Sequence, residues 1–361
     1  MAFDSELKEK LKRLRSLLKA RSLEGVLLSS RANFAWLTGG RTNQIRSDVE
    51  KGVASLWVTQ KGLELWCNAI EEKRFREEEA LGLPLDYQIR PWYEPFKPSF
   101  KKAASDDGSY GLHSLKEEIA QLRWSLHSEE AVRYMQVGRL SGEALEVVGK
   151  KVRKGWKETQ VAAELSSELI TRGLEPTVIL VGSDERLVRH RHPLPTNRVI
   201  ENTVMMVICA KGYGLIANLT RIVHFDEMSM DLRLRHHACL QVECAMWDKT
   251  KIGVQAKEVF KTGVAEYSAQ GFPGEWKKHH QGGPTGYETR DYLATPDCDH
   301  QLVENQAMAW NPSITGTKSE DTVLLTKKGL ELLTPTPNWP MVKVRYGGKE
   351  YLRPDILIVK R

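Results

Sequence analysis

The sequence predicts an α/β protein in two domains, and three observations carry that expectation. Segments with apolar residues at helical spacing alternate with short, β-branched apolar runs along almost the whole chain. Its 361 residues suffice for two hydrophobic cores. A polar stretch with three prolines, followed by a short strand and a helix, then sets an amino-terminal group of elements apart, so that the predicted domains are 1–123 and 124–361.

Leu7, Leu11, Leu14 and Leu18 lie on one helical face and predict a first helix that ends before the strand GVLLSS at Gly25. ASLWVT from Ala54 and LELWCN from Leu63 read as strands paired across the turn QKG. A Glu- and Arg-rich helix follows from Ile70, and DYQIRPW from Asp86 resumes extended structure. Beyond Arg123, Ser128 is a candidate cap for a long helix with Glu129 and Glu130 in its first turn and an apolar face through Val132, Met135, Leu140 and Leu145. A second helix runs from about Thr159 to Gly173, where glycine eases a left-handed cap. After TVILVGS, the runs VMMVICA and LIANLTRIVHF predict two strands around the turn KGYG. Helices near 228–248 and 255–269 precede a strand-rich end, and no internal repeat is visible.

Composition removes several function classes. The net charge is +6, but 47 acidic and 53 basic residues are interleaved, which reads as a solvated surface and makes nucleic acid an unexpected partner. No apolar run is long enough to cross a bilayer and the amino terminus carries charges throughout, so a cytoplasmic protein without a membrane partner is expected. The five cysteines are odd in number and mostly sit in apolar runs, as reduced core residues would.

Three ordered blocks then carry a resemblance. They are HPLPTNRVIENTVMMVICAKGYGLIANLTRIVHF from His192, KHHQGGPTGYETRD from Lys278, and AMAWNPSITGTKSEDTVLLTKKGLELLT from Ala307. Together they resemble the aminopeptidase P, prolidase and creatinase superfamily, peptidase family M24. The resemblance implies a carboxy-terminal pita-bread fold with a curved, mainly antiparallel sheet, and a smaller amino-terminal α/β domain of creatinase type.

Such enzymes hold two divalent cations on carboxylates and one imidazole. In this chain the matching positions are Val207, Asn218, Gly283, Asn311 and Glu320, and only the last retains a ligand. No dinuclear metal and no other cofactor is therefore expected. Adjacent histidines diverge on a strand or helix, so His279 with His280 and His236 with His237 are not expected to chelate. A mononuclear site from His192, one of His279 and His280, and Glu320 is the remaining way to rebuild one.

The creatinase branch cleaves a C–N bond without metal, and the resemblance places its acid–base histidine at His192 and one of its carboxylates at Glu320. It implies a substrate-binding group of Asn218, His279, His280, Tyr287, Arg290 and Asn311, with Arg290 able to grip a carboxylate bidentately. Neutral Asn218 replaces a second creatinase carboxylate, which argues against creatine itself. Two classes stay open: a metal-independent hydrolase or lyase of a small polar nitrogen compound, and a non-catalytic relative that binds a peptide or protein. A residual Xaa-Pro peptidase with a rebuilt metal site is a third. The resemblance also implies a homodimer, with Phe34, Trp36, Arg41 and Arg46 as candidates to reach a partner's cleft.

Overall fold

All four leucines of the first helical stripe, Leu7, Leu11, Leu14 and Leu18, are buried, and they seat helix α1 (Ala2–Ala20) on the amino-terminal sheet. The computed structural model describes residues 2–96, 98 and 100–360. It divides into two compact units, Met1–Glu130 with Tyr213–Leu215, and Ala131–Gly212 with Ile216–Arg361.

The first unit continues with β1 (Gly25–Ser30), α2 (Arg31–Leu37), β2 (Lys51–Thr59), β3 (Leu63–Asn68), α3 (Glu72–Arg74), β4 (Asp86–Arg90), β5 (Ala103–Ser105), β6 (His113–Ser114) and α4 (Lys116–Trp124). Its six strands lie in the order β4-β3-β2-β1-β5-β6. β2 and β3 pair antiparallel across the turn expected from QKG, with Val58 opposite Leu63. The Glu- and Arg-rich helix is only α3 and a wider π-helical turn over Phe75–Glu79. The segment around Phe34 forms α2, capped by Ser30 Oγ, which accepts from the Asn33 amide at 3.2 Å. Phe34 and Trp36 are fully buried in this unit's own core, which removes them as residues that could reach a partner. Arg41 donates to the Thr38 and Leu81 carbonyls, while exposed Arg46 pairs with Asp48.

The second unit is built on α5 (Ser128–Lys151), α6 (Glu158–Thr171), β7 (Glu175–Ser183), α7 (Glu185–Arg189), β8 (Thr203–Gly212), β9 (Leu215–Phe225), α8 (Met230–Lys249) and α9 (Ala256–Ala269). Strands follow as β10 (Gly282–Thr285), β11 (Gln306–Trp310), β12 (Ser313–Ile314), β13 (Thr317–Lys318), β14 (Asp321–Thr326), β15 (Gly329–Leu332), β16 (Met341–Tyr346), β17 (Lys349–Pro354) and β18 (Leu357–Val359). The main sheets run β18-β9-β8-β7 and β10-β11-β14-β15. They are stitched together where the Thr220 amide meets the Glu320 carbonyl at 3.0 Å and Thr322 Oγ1 bridges both backbone groups of Asn218. This is the curved, mainly antiparallel pita-bread fold expected from the sequence.

The turn between β8 and β9 uses Tyr213 and Gly214, both at positive φ, as a two-residue hairpin whose twist matches its strands requires. Two expectations for α5 need correction. His127 rather than Ser128 caps it: His127 Nδ1 accepts from the Glu129 amide, and the Glu130 carboxylate takes the His127 amide at 2.7 Å. The buried face is also rotated, because Val132 and Met135 are exposed while Tyr134, Val137, Ala144 and Leu145 are buried. Gly138 and Gly142 cause this: a Cβ on either would stand 2.0 or 2.1 Å from the Leu333 or Pro335 carbonyl oxygen, so the helix presses its small residues against the backbone. All five cysteines are buried and unpaired.

Candidate active site

Extended chain alternates its side chains, and that rule builds the centre of the site. Lys318 and Glu320 share one face, while Ser319 and Asp321 take the other. On the first face Lys318 Nζ lies 2.7 Å from Glu320 Oε2, Thr220 Oγ1 donates to the same oxygen at 2.9 Å, and Arg290 Nη2 meets Glu320 Oε1 at 3.0 Å. On the other face Asp321 joins Arg221 at 2.9 Å and Arg353 at 2.8 Å, and Arg353 also meets Glu243 at 2.7 Å. These groups are fully or almost fully buried, and their network fixes the strand that carries Glu320.

Burial alone would raise the Glu320 carboxyl, but Lys318 and then Arg290 outweigh it and hold the group down at about 2. Glu320 is thus an ionised carboxylate clasped by two cations. Its hydrogen bonds go to Arg290, Lys318 and Thr220, and none goes to His192. Arg290, expected to be open to a substrate carboxylate, spends its outer nitrogen on Glu320.

His192 is exposed and approaches from the segment after α7. Its Nε2 lies 3.0 Å from Nε2 of His279, which is buried and has its Nδ1 3.3 Å from Ser313 Oγ. Half-buried His280 completes the group, so that one ring nitrogen of each of the three histidines lies within 4.8 Å of the others. The expected divergence of His279 and His280 does not occur. Strand β10 starts only at Gly282, and His279 and His280 precede it, just after a 3-10 turn over Glu275–Lys278; His279 is itself extended, yet the two ring centroids lie 4.5 Å apart. The other adjacent pair does separate: His236 is buried between Thr317 Oγ1 at 2.8 Å and the Pro354 carbonyl at 3.4 Å, while His237 is exposed.

All three clustered imidazoles are pushed toward the neutral form. Partial desolvation of the ring lowers His192 most, Lys318 adds to it, and Glu320 pulls partly back. Burial, then Arg290 and Lys318, brings His280 to about 4, and His279 is driven lower still.

The residues that the resemblance places at the family's dinuclear positions do not fit two cations. Val207 belongs to an apolar cluster with Leu180, Leu187, Met205, Ile222 and Ile356. Gly283 has no side chain, and a Cβ built on it would stand 2.4 Å from the Tyr292 carbonyl oxygen. Asn218 gives its amide nitrogen to Thr285 Oγ1 at 3.0 Å and the Ile216 carbonyl at 3.2 Å. The side-chain oxygens of Asn218 and Asn311 are buried without a hydrogen-bond partner, and neutral amides cannot balance two divalent charges. Tyr287, named as a substrate contact, is buried.

Sequence reasoning does not single out Lys318, Thr220 or the Arg353 network. The signal for Lys318 is present: in KSED it stands two residues before Glu320 and so on the same face of an extended chain.

The profile of metallopeptidase family M24 matches residues 133–327, more than half of the chain, and the creatinase/prolidase N-terminal domain profile matches residues 10–125. The chain belongs to metallopeptidase family M24. Among its relatives, a Xaa-Pro dipeptidase from Pyrococcus horikoshii is 21% identical over 358 residues, covering 91% of this chain and 98% of the relative. Among solved structures, the prolidase from Pyrococcus horikoshii OT3 superposes with a TM-score of 0.78 at 18% identity, covering 91% of this chain and 98% of its own. An X-Pro aminopeptidase from Thermotoga maritima gives 0.77 at 18% identity over 97% and 99%. Among the described residues no helix is long and apolar enough to cross a membrane.

Proposed function

We propose that this family M24 protein is a metal-independent hydrolase of a small polar nitrogen compound, with His192 as the proton-transfer residue for cleavage of a C–N bond. The observation that carries the reading is the pair of imidazoles joined at 3.0 Å, one exposed and one buried. Its physical logic is directional. If His279 donates through Nδ1 to Ser313 Oγ, its Nε2 accepts from His192 Nε2, and His192 Nδ1, without a partner among the described residues, is left as the base. The lowered affinity of His192 for a proton keeps it unprotonated at neutral pH, as a base must be. It takes the proton of the attacking water and returns it to the leaving nitrogen, while His279 holds the ring by accepting from Nε2.

In this reading Glu320 does not orient His192 by contact. It tunes the imidazole through space and anchors Lys318 and Arg290 beside the substrate, and Asn218 and Asn311 offer their unpartnered oxygens to substrate N–H groups. We also propose a homodimer, on the family resemblance, and a cytoplasmic setting, on the charged amino-terminal sequence; light scattering showing a monomer at micromolar concentration would remove the dimer.

The test is a panel of small amides, amidines and dipeptides screened by thermal shift and then by turnover. His192→Ala should lower turnover by roughly two to four orders of magnitude with the fold intact, the usual range for losing an acid–base group. Turnover that survives in His192→Ala within a factor of two overturns the assignment. Ligand-dependent stabilisation with no turnover of any ligand would instead make the chain a peptide- or protein-binding relative.

A further inference from the structure

We propose that His192, His279 and His280 form a mononuclear binding site for a borderline transition-metal ion such as Zn2+ or Co2+, separate from the family's dinuclear position. The three rings each offer a nitrogen within 4.8 Å of the others. A tetrahedral ion with bonds of about 2.0–2.1 Å separates its ligand nitrogens by about 3.3 Å. The His192 and His279 nitrogens stand 3.0 Å apart, so they need to open by only a few tenths of an ångström.

The surroundings suit the ion at two of the three ligands. Ser313 Oγ, 3.3 Å from His279 Nδ1, can take that ring's proton and leave Nε2 as the ligand, the usual support for a metal-binding histidine. Exposed His192 supplies a way in and an open coordination position. The third ring resists. The Gly282 amide points at His280 Nδ1 at 3.3 Å, so ligation through Nε2 requires a change of tautomer and the loss of that long hydrogen bond. Lys318 and Arg290 against the single carboxylate Glu320 also leave a net positive neighbour. Both effects weaken binding relative to a structural zinc site.

A consequence for regulation rests on the reading of His192 as acid–base residue: an ion bound at its Nε2 leaves the ring's one proton on Nδ1, the atom read as the base, and so silences the enzyme. Binding itself does not depend on that reading, and the two are separable by experiment. The untagged full chain, stripped with chelator, is titrated with Co2+ while the visible absorption is followed, and with Zn2+ by calorimetry. We expect one ion per chain, and at least a tenfold loss of affinity in His192→Ala and in His280→Ala; exposed His192 gives a variant whose folding is not at risk. No saturable binding, or binding unchanged in both variants, overturns the site and leaves the metal-free reading untouched. Binding with loss of turnover supports both. Binding with gain of turnover supports the site and overturns the metal-free reading.

Discussion

Removing the Glu320 charge and removing the Lys318 charge should have unequal effects on stability and opposite effects on His192. Glu320→Gln leaves Lys318 and Arg290, with side chains only 4% and 11% exposed, facing each other over a neutral amide. Stranding buried charge in this way costs about 3–5 kcal/mol. Lys318→Met leaves Glu320 paired with Arg290 and still bonded to Thr220, so no buried charge is stranded and the loss should be smaller. Urea unfolding followed by circular dichroism measures the difference. The electrostatic signs differ as well: Lys318 lowers the His192 pKa and Glu320 raises it, so Glu320→Gln should move it down and Lys318→Met up. Titration of the His192 ring proton by NMR reads this directly. Equal stability losses, or shifts of His192 in the same direction, would refute the account of Glu320 as the anion at the centre of two cations.

Two further expectations follow from buried groups. Gly283→Asp or Gly283→His should destabilise the chain by about 1–3 kcal/mol, since φ is +153 and the added Cβ meets the Tyr292 carbonyl. A Gly283→His variant that gained two metal ions at unchanged melting temperature would contradict this. Burial brings His236 from 6.5 to about 4, so between those values the unfolded chain binds one more proton than the folded one. Stability should then fall by about 1.4 kcal/mol per pH unit as pH drops from about 6.5 toward 4, and His236→Gln should flatten that slope in acid-denaturation curves.

The parts of the fold that depend on periodicity are legible from residues alone. The four leucines of α1, the β2–β3 pair and the β8–β9 hairpin follow local rules that tertiary contacts only reinforce. The face of α5 does not, because Gly138 and Gly142 carry no hydrophobic signal and declare their role only when the Leu333 and Pro335 backbones arrive. His279 and His280 mislead for a related reason. They fall between a 3-10 turn that has no strong signature in EWKK and a strand that begins only at Gly282, so they are not part of the paired strand expected of them. Phe34 and Trp36 show the opposite case, aromatic residues expected at a partner whose own helix packs them inward.

The electrostatics of the site explain why these departures from the family pattern occur together. A dinuclear centre brings about four positive charges, which its carboxylates exist to balance. Without two cations, an aspartate at 207 would face Leu180 and Ile222, and acidic groups at 218 and 311 would be buried charges with no metal to neutralise them. Valine and two asparagines remove that cost. The carboxylate of Glu320 is matched by the two cations Lys318 and Arg290. Restoring any one ligand on its own therefore adds buried charge without assembling a site. The Val207→Asp variant should accordingly lose stability in the presence of divalent metal as much as in its absence, and a metal-dependent recovery of its melting temperature would show that the dinuclear centre is still latent in the fold.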